Sequence, residues 1–463
     1  MICLVFFLNP CYTTIATINP EGELCMYRTV LAELMAWKAS HRRKPLVLRG
    51  ARQVGKTWLM KELANIAYDD SVYISFDKDA DATRVFDETK DPKLIIERLA
   101  LIRNKKILPE STLIILDEIQ ECPNALGSLK YFNEEANEYH VVAAGSLLGT
   151  YLAKPASYPV GKVNLLNIYP LSFDEYLAAA DGGMYQYYCG VGSGKDYVSA
   201  FHEKMTEHCK KYQIVGGMPE CVESWVNNAD PAEVSTIQEE IVSLYENDFT
   251  KHSASVNSGR ILQVFRSIVP QLAKENNEKF MYAAIAKSAR ARDFEDAIEW
   301  LVSSGIVYRI LNISKPEYPL RAYEILNCFK LFLLDTGLVK HMAGLTNSSI
   351  LLSESFHFKG QLAENYVLQQ LIPILADVPN YYAFSQEREI DFVLQHGETI
   401  IPLEVKSGSA KKAVSFKSYI NKHNPKIAVR YSTKEYLTNG AITNVPLYFV
   451  GKTLELASCA GEA

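Results

Sequence analysis

From Met26 onward, short apolar runs alternate with longer amphipathic stretches. Pro45-Leu46-Val47-Leu48 reads as a buried strand, Trp58 to Ala64 as a helix, Ser71 to Phe76 as a second strand and Pro92 to Arg103 as a helix. Leu113 to Leu116 and Tyr139 to Ala144 are two further buried strands. Strands that are apolar throughout, separated by helices, predict a parallel sheet covered on both faces, because a face open to water would impose alternation. Ahead of them Val30, Leu31, Leu34 and Trp37 recur at helical spacing. The pattern predicts an α/β core over 26–170.

Beyond it the rhythm changes. Tyr169 to Leu177 opens a helix-rich stretch that ends at Tyr245-Glu246-Asn247-Asp248, read as a small helical lid over 171–250. Inside it Ile214-Val215-Gly216-Gly217-Met218-Pro219 is either a helix-breaking turn or a nucleotide contact. Over 251–345, Tyr282 to Ala289 and Asp293 to Ser304 form a helix pair, Gly305 a stop and Ile306 to Leu311 a first wing strand. Such a winged-helix module, with Arg290 and Arg292 in the turn before its second helix, either packs on neighbouring domains or reads DNA. In 346–463 the helix Gln361 to Leu371 precedes the strands Glu389 to Leu394 and Ile400 to Lys406, joined by the turn Gln395-His396-Gly397-Glu398.

Two sets of polar residues stand where these elements end. Gly50-Ala51-Arg52-Gln53-Val54-Gly55-Lys56-Thr57 matches the phosphate-loop pattern between a strand and a helix. Gly50 and Gly55 let backbone N–H groups wrap phosphate oxygens, Lys56 reaches the outer phosphates and the Thr57 hydroxyl serves Mg²⁺. Asp117 and Glu118 close the third strand, the first placed to hold Mg²⁺ and the second to take a proton from an attacking water. Ser146 follows the fourth strand, as a γ-phosphate sensor or as a strand-end cap. The second set is Asp391, Glu404 and Lys406. Residues two apart on a strand share a face, so Glu404 and Lys406 project together, and pairing brings Asp391 beside them. This D…ExK arrangement, with Glu364 as a further acid, has carboxylates for Mg²⁺ and a lysine to orient water at a phosphodiester.

Composition limits the partners. The 463 residues are 48% hydrophobic with a net charge of −6, room for two to four domains and too acidic for a surface that coats nucleic acid or anionic membrane. A basic stripe is nonetheless present locally: Lys411, Lys412, Lys417, Lys422, Lys426 and Arg430 follow Lys406 with no acid between Val405 and Arg430. It is either a contact for DNA or RNA phosphates or a solvated helix face. The nine cysteines form no CxxC pair and no zinc spacing, which fits thiols in a reducing, cytoplasmic setting without structural zinc. Ile2 to Leu8 is too short to span a bilayer and poor as a secretion signal, so residues 1–25 read as a disordered or mis-started extension.

The phosphate loop, Asp117-Glu118-Ile119-Gln120, Tyr169-Pro170-Leu171-Ser172-Phe173 and Gly216-Gly217-Met218-Pro219 together resemble the prokaryotic P-loop ATPases of AAA and archaeal type. Their C-terminal half is a DUF4143-like domain related to PD-(D/E)xK restriction-type nucleases. The likeness runs over nearly all residues after Met26. It implies the additional-strand, catalytic-glutamate division of such ATPases, with ATP and Mg²⁺ as cofactors, a lid, a winged-helix module and a nuclease-like C-terminal α/β domain. Where the family usually has Gly-Arg before the Tyr169 segment this chain has Gly161-Lys162, which keeps the charge but not the planar fork of an arginine finger. Two functions follow as expectations: ATP hydrolysis coupled to a metal-dependent cut in nucleic acid, or a nucleotide switch whose C-terminal module only binds a partner. Oligomerisation is compatible with either.

Overall fold

In a computed structural model of the protein the described residues are 17–18, 24–145, 148, 161–251, 257–273, 279–285, 289–352, 358–375, 377–385, 388–406 and 413–460. The extension over 1–25 therefore lies outside them apart from a two-stranded antiparallel pair, β1 (Thr17–Ile18) and β2 (Leu24–Cys25). Ser146, Lys411 and Lys412 are outside them altogether. No helix among the described residues is long and apolar enough to cross a membrane. The chain divides into two compact units, one of Arg28–Tyr169 with Ser303–Ile306, the other holding the rest.

The first unit begins with α1 (Val30–Ala39), then β3 (Leu46–Arg49), α2 (Lys56–Ala67), β4 (Asp70–Ser75), α3 (Ala80–Glu88), α4 (Pro92–Arg103), β5 (Thr112–Asp117), α5 (Pro123–Glu135), β6 (His140–Ala144) and β7 (Asn164–Asn167). All five strands after β2 are parallel in the order β4-β5-β6-β3-β7. The elements expected from hydrophobic runs appear with ends shifted by up to three residues, and β6 lies between the loop strand β3 and the acid strand β5. Both β5 and β6 are buried at every position, which is why neither alternates. Helices α3 to α5 pack on the sheet through Val85, Phe86, Ile95, Leu99, Leu129 and Phe132. Burying each such side chain contributes about 1.5–3 kcal/mol. Asp79 and Asp91 cap α3 and α4 by accepting from Ala82 N and Lys93 N.

In the second unit, five helices fill the stretch from Phe173 to Lys251. The first is started by Ser172 and Glu175, whose carboxylate accepts from Ser172 N at 3.1 Å. Gly217 sits so close to Leu171 that a Cβ would stand 2.1 Å from its carbonyl oxygen. Its N–H donates to the buried Asp335 carboxylate at 2.6 Å, which also accepts from Leu338 N at 3.0 Å and Gln369 Nε2 at 2.9 Å. Burial pushes Asp335 above the usual carboxylate range against these donors. The Gly216-Gly217 segment is thus a backbone joint clamped by Asp335.

The remaining strands are β8 (Val307–Ile313), β9 (Glu324–Leu333), β10 (Asn380–Ser385), β11 (Arg388–His396), β12 (Thr399–Val405), β13 (Ala428–Ser432), β14 (Leu437–Asn439) and β15 (Ile442–Pro446). They form one sheet in the order β14-β15-β13-β12-β11-β10-β8-β9. Ile313 and Leu320 share a cluster with Tyr382, Ile390, Val393, Phe416, Tyr419 and Ala428. The boundary expected at 345 therefore falls between strands of a single sheet. For the winged-helix reading, the helix Ala291–Ser303, Gly305 at φ +76° and β8 stand where expected. In place of the helix at Tyr282 to Ala289 there is a 3₁₀ turn, Tyr282–Ala284, and residues 286–288 lie outside the described ones.

Candidate functional site

The loop after β3 turns through positive φ at Gly50 (151°), Gln53 (64°) and Gly55 (89°) before α2 begins. A Cβ on Gly50 would lie 2.2 Å from Ile168 O, so glycine is required there for both space and conformation. Lys56, 8% exposed, donates through Nζ to Gly50 O at 2.9 Å and Ala51 O at 2.6 Å, curling the loop around its own ammonium. Desolvation pulls its pKa from 10.5 to about 8, while the charges of Glu118 and Asp117 resist. A buried cation at a helix N-terminus, hydrogen-bonded by two loop carbonyls, is suited to an anion.

Beside it the Thr57 hydroxyl donates to Asp117 Oδ2 at 2.8 Å, which joins the start of α2 to the end of β5. Tyr73 on β4 donates to the same oxygen at 2.9 Å, and Asp117 Oδ1 accepts from Glu118 N at 3.1 Å. Desolvation, with the bond to Asp117, raises the Tyr73 phenol to about 12, so it stays a donor. Glu118 takes a left-handed conformation, φ +50°, and its Oε2 accepts from Gln120 Nε2 at 2.5 Å. Gly145, at the exit of β6, leaves room for Gln120: a Cβ there would be 2.2 Å from Gln120 Oε1. Arg52 and Val54 complete the loop, Val54 fully buried. Lys162, which follows Gly161 where the resembled family usually has arginine, pairs with Glu134 at 2.8 Å.

Sequence reasoning singled out Lys56, Thr57, Asp117 and Glu118 and missed Tyr73. Nothing local marks a tyrosine inside a strand as a partner of an acid on the next strand. The register does so, since Tyr73 pairs with Ile115 two residues before Asp117. Gln120 stood in the recognised motif without a role.

In the second unit, β11 and β12 form a hairpin closed by Gly397 (φ +59°) and Glu398. Asp391 Oδ2 accepts from Val405 N at 2.7 Å, and Lys406 Nζ stands 2.5 Å from Glu404 Oε1. The hairpin, the adjacency of Asp391 and the shared face of Glu404 and Lys406 are as the spacing predicts. The third acid, Glu364, is buried on the helix Lys359–Leu371. Among the described residues no three His, Cys, Asp or Glu side chains gather as a metal-holding group, so Glu364, Asp391 and Glu404 are not assembled into one. Of the basic stripe, Lys417, Lys422 and Lys426 are exposed, whereas the Arg430 guanidinium lies 5.6 Å from the centre of the Phe416 ring.

The family matches agree with this geometry over its first part. Residues 42–177 match a family described as an AAA domain, 206–349 a domain of unknown function (DUF8612) and 359–450 a domain of unknown function (DUF4143). The DUF8612 match runs across the lid and winged-helix stretches that the sequence reading separates. A search of curated proteins returns no match. Among solved structures, a Walker-type ATPase of Pyrococcus abyssi aligns over 68% of this chain and 95% of its own at 12% identity and a TM-score of 0.43. Cdc6p from Pyrobaculum aerophilum aligns over 70% and 93% at 12% identity and a TM-score of 0.24. The Orc1 protein of Aeropyrum pernix, in complex with DNA, aligns over 68% and 90% at 14% identity and a TM-score of 0.24. Likenesses this low carry no conclusion about activity. The phosphate loop, the acid strand and the family matches agree on a P-loop, ATPase-like region over 42–177, similar to AAA domains, followed by a region over 359–450 similar to the DUF4143 family.

Proposed function

We propose that the protein binds and hydrolyses ATP with Mg²⁺. The observation that carries this reading is the meeting of Thr57 Oγ1 and Asp117 Oδ2 at 2.8 Å beside the buried Lys56 ammonium, at the start of α2. The turn of Gly50 to Gly55 directs N–H groups toward the phosphates, and Lys56 exchanges its two carbonyl partners for phosphate oxygens. Mg²⁺ would be held by Thr57 and Asp117 and would supply positive charge to the phosphates. Tyr73 keeps Asp117 oriented. Glu118 takes the proton of the attacking water, and Gln120 fixes its carboxylate. The test is phosphate release from ATP. Lys56→Ala is expected to lose nucleotide affinity, while Glu118→Gln keeps it and drops turnover by about 10²- to 10⁴-fold. Equal hydrolysis by wild type and Glu118→Gln refutes the assigned base.

For the C-terminal region we infer a binding role toward nucleic acid under nucleotide control. The support is chemical: Lys417, Lys422 and Lys426 are exposed on a stretch without acids, and the Glu404 charge is met by Lys406 at 2.5 Å. A second reading, cutting of nucleic acid, is favoured by Asp391, Glu404 and Lys406 standing on paired strands. Plasmid incubated with Mg²⁺, with and without ATP, separates them. Cleavage by wild type that is absent in Glu404→Ala establishes cutting, and intact plasmid retarded in a gel establishes binding.

A further inference from the structure

Arg28 lies just ahead of α1, and only 4% of it is exposed. Its Nη1 donates to Val54 O at 3.1 Å and its Nη2 to Tyr169 O at 2.8 Å. These two carbonyls flank the phosphate loop. Val54 immediately precedes Gly55, the left-handed residue from which α2 starts. Tyr169 follows Ile168, whose own carbonyl bounds Gly50 so tightly that no side chain fits. One guanidinium therefore ties the last turn of the loop to the segment that hems in its first glycine. Burying a cation is costly unless its N–H groups are bonded, and a planar fork with several donors in fixed directions can serve two carbonyls at once, which an ammonium does poorly. With its carbonyl oxygen held by Arg28, the Val54–Gly55 peptide is restrained from turning over. Tyr169 is also the last residue of the first unit before Pro170. The same cation thus links the loop to the point where the chain leaves that unit.

We propose that Arg28 is a positioning residue for nucleotide binding: it holds the phosphate loop in its receptive shape and ties that shape to the Tyr169-Pro170 exit. This rests on the ATP-binding reading above. Arg28 makes no contact with phosphate in this role; it acts through Val54. The test compares wild type, Arg28→Lys and Arg28→Gln for affinity toward fluorescent ADP and ATP, for KM and kcat, and for melting temperature. A charge-assisted pair of hydrogen bonds predicts that Arg28→Gln weakens affinity about tenfold to hundredfold. KM is expected to move more than kcat, with Arg28→Lys recovering part of the loss. Wild-type Kd and KM in Arg28→Gln overturn the proposal even if its melting temperature falls, because that pattern marks a scaffold residue. Should Arg28→Gln not fold, unchanged affinity in Arg28→Lys overturns it equally. A wild-type protein without affinity for either nucleotide refutes the ATP-binding reading itself, and this proposal with it.

Discussion

At the residue scale, the loop lysine sets a pH signature. Lys56 in the folded, ligand-free protein has its pKa drawn down to about 8, below its unfolded value. Its contribution to stability is therefore present above the unfolded pKa and lost as pH falls through about 8, where a charged ammonium must be buried. Nucleotide binding has the opposite slope. Phosphate favours the charged form, so binding above pH 8 takes up a proton and affinity falls by at most about tenfold per pH unit. Calorimetric titration with ADP at pH 7 and pH 9, in buffers of different ionisation enthalpy, reads that proton directly; equal affinity and no proton uptake at pH 9 refute the assignment. Lys56 itself was legible because a phosphate loop is a local pattern of eight residues. Tyr73 and Arg28 were not, since what they touch lies 44 and 26 residues away in sequence and only the fold brings them there.

At the scale of elements, hydrophobic runs located the strands of the parallel sheet well because burial on both faces leaves an unbroken apolar signature. The helix expected at Tyr282 to Ala289 failed in part because an apolar, alanine-rich stretch without a cap or a stop is ambiguous by periodicity alone. The Gly216-Gly217 joint was visible as punctuation, yet its purpose depends on Asp335, more than a hundred residues later. Gly217→Ala must push its Cβ against the Leu171 carbonyl and the Tyr212 hydroxyl. The expected cost is about 1–3 kcal/mol of unfolding free energy. Urea unfolding followed by circular dichroism checks it, and an unchanged midpoint contradicts the clamp.

At the scale of the whole molecule, the candidate ATPase machinery belongs to the first unit, while the hairpin with Asp391 and Glu404 belongs to the second. The sequence reading set a boundary at 345 that falls between strands of one sheet. Composition and punctuation change near residue 345, and neither reveals that strands on both sides share hydrogen bonds. The eight-stranded sheet has a practical outcome for anyone preparing fragments. A piece beginning at residue 346 discards β8 and β9, takes Ile313 and Leu320 out of the cluster around Tyr382 and Ile390, and bares the flank of β10. An unprotected flank of that kind recruits other chains. Recombinant 346–463 should therefore emerge from size-exclusion chromatography as soluble aggregate or be lost to inclusion bodies, and a monodisperse fragment that melts cooperatively would show that β8 and β9 are dispensable.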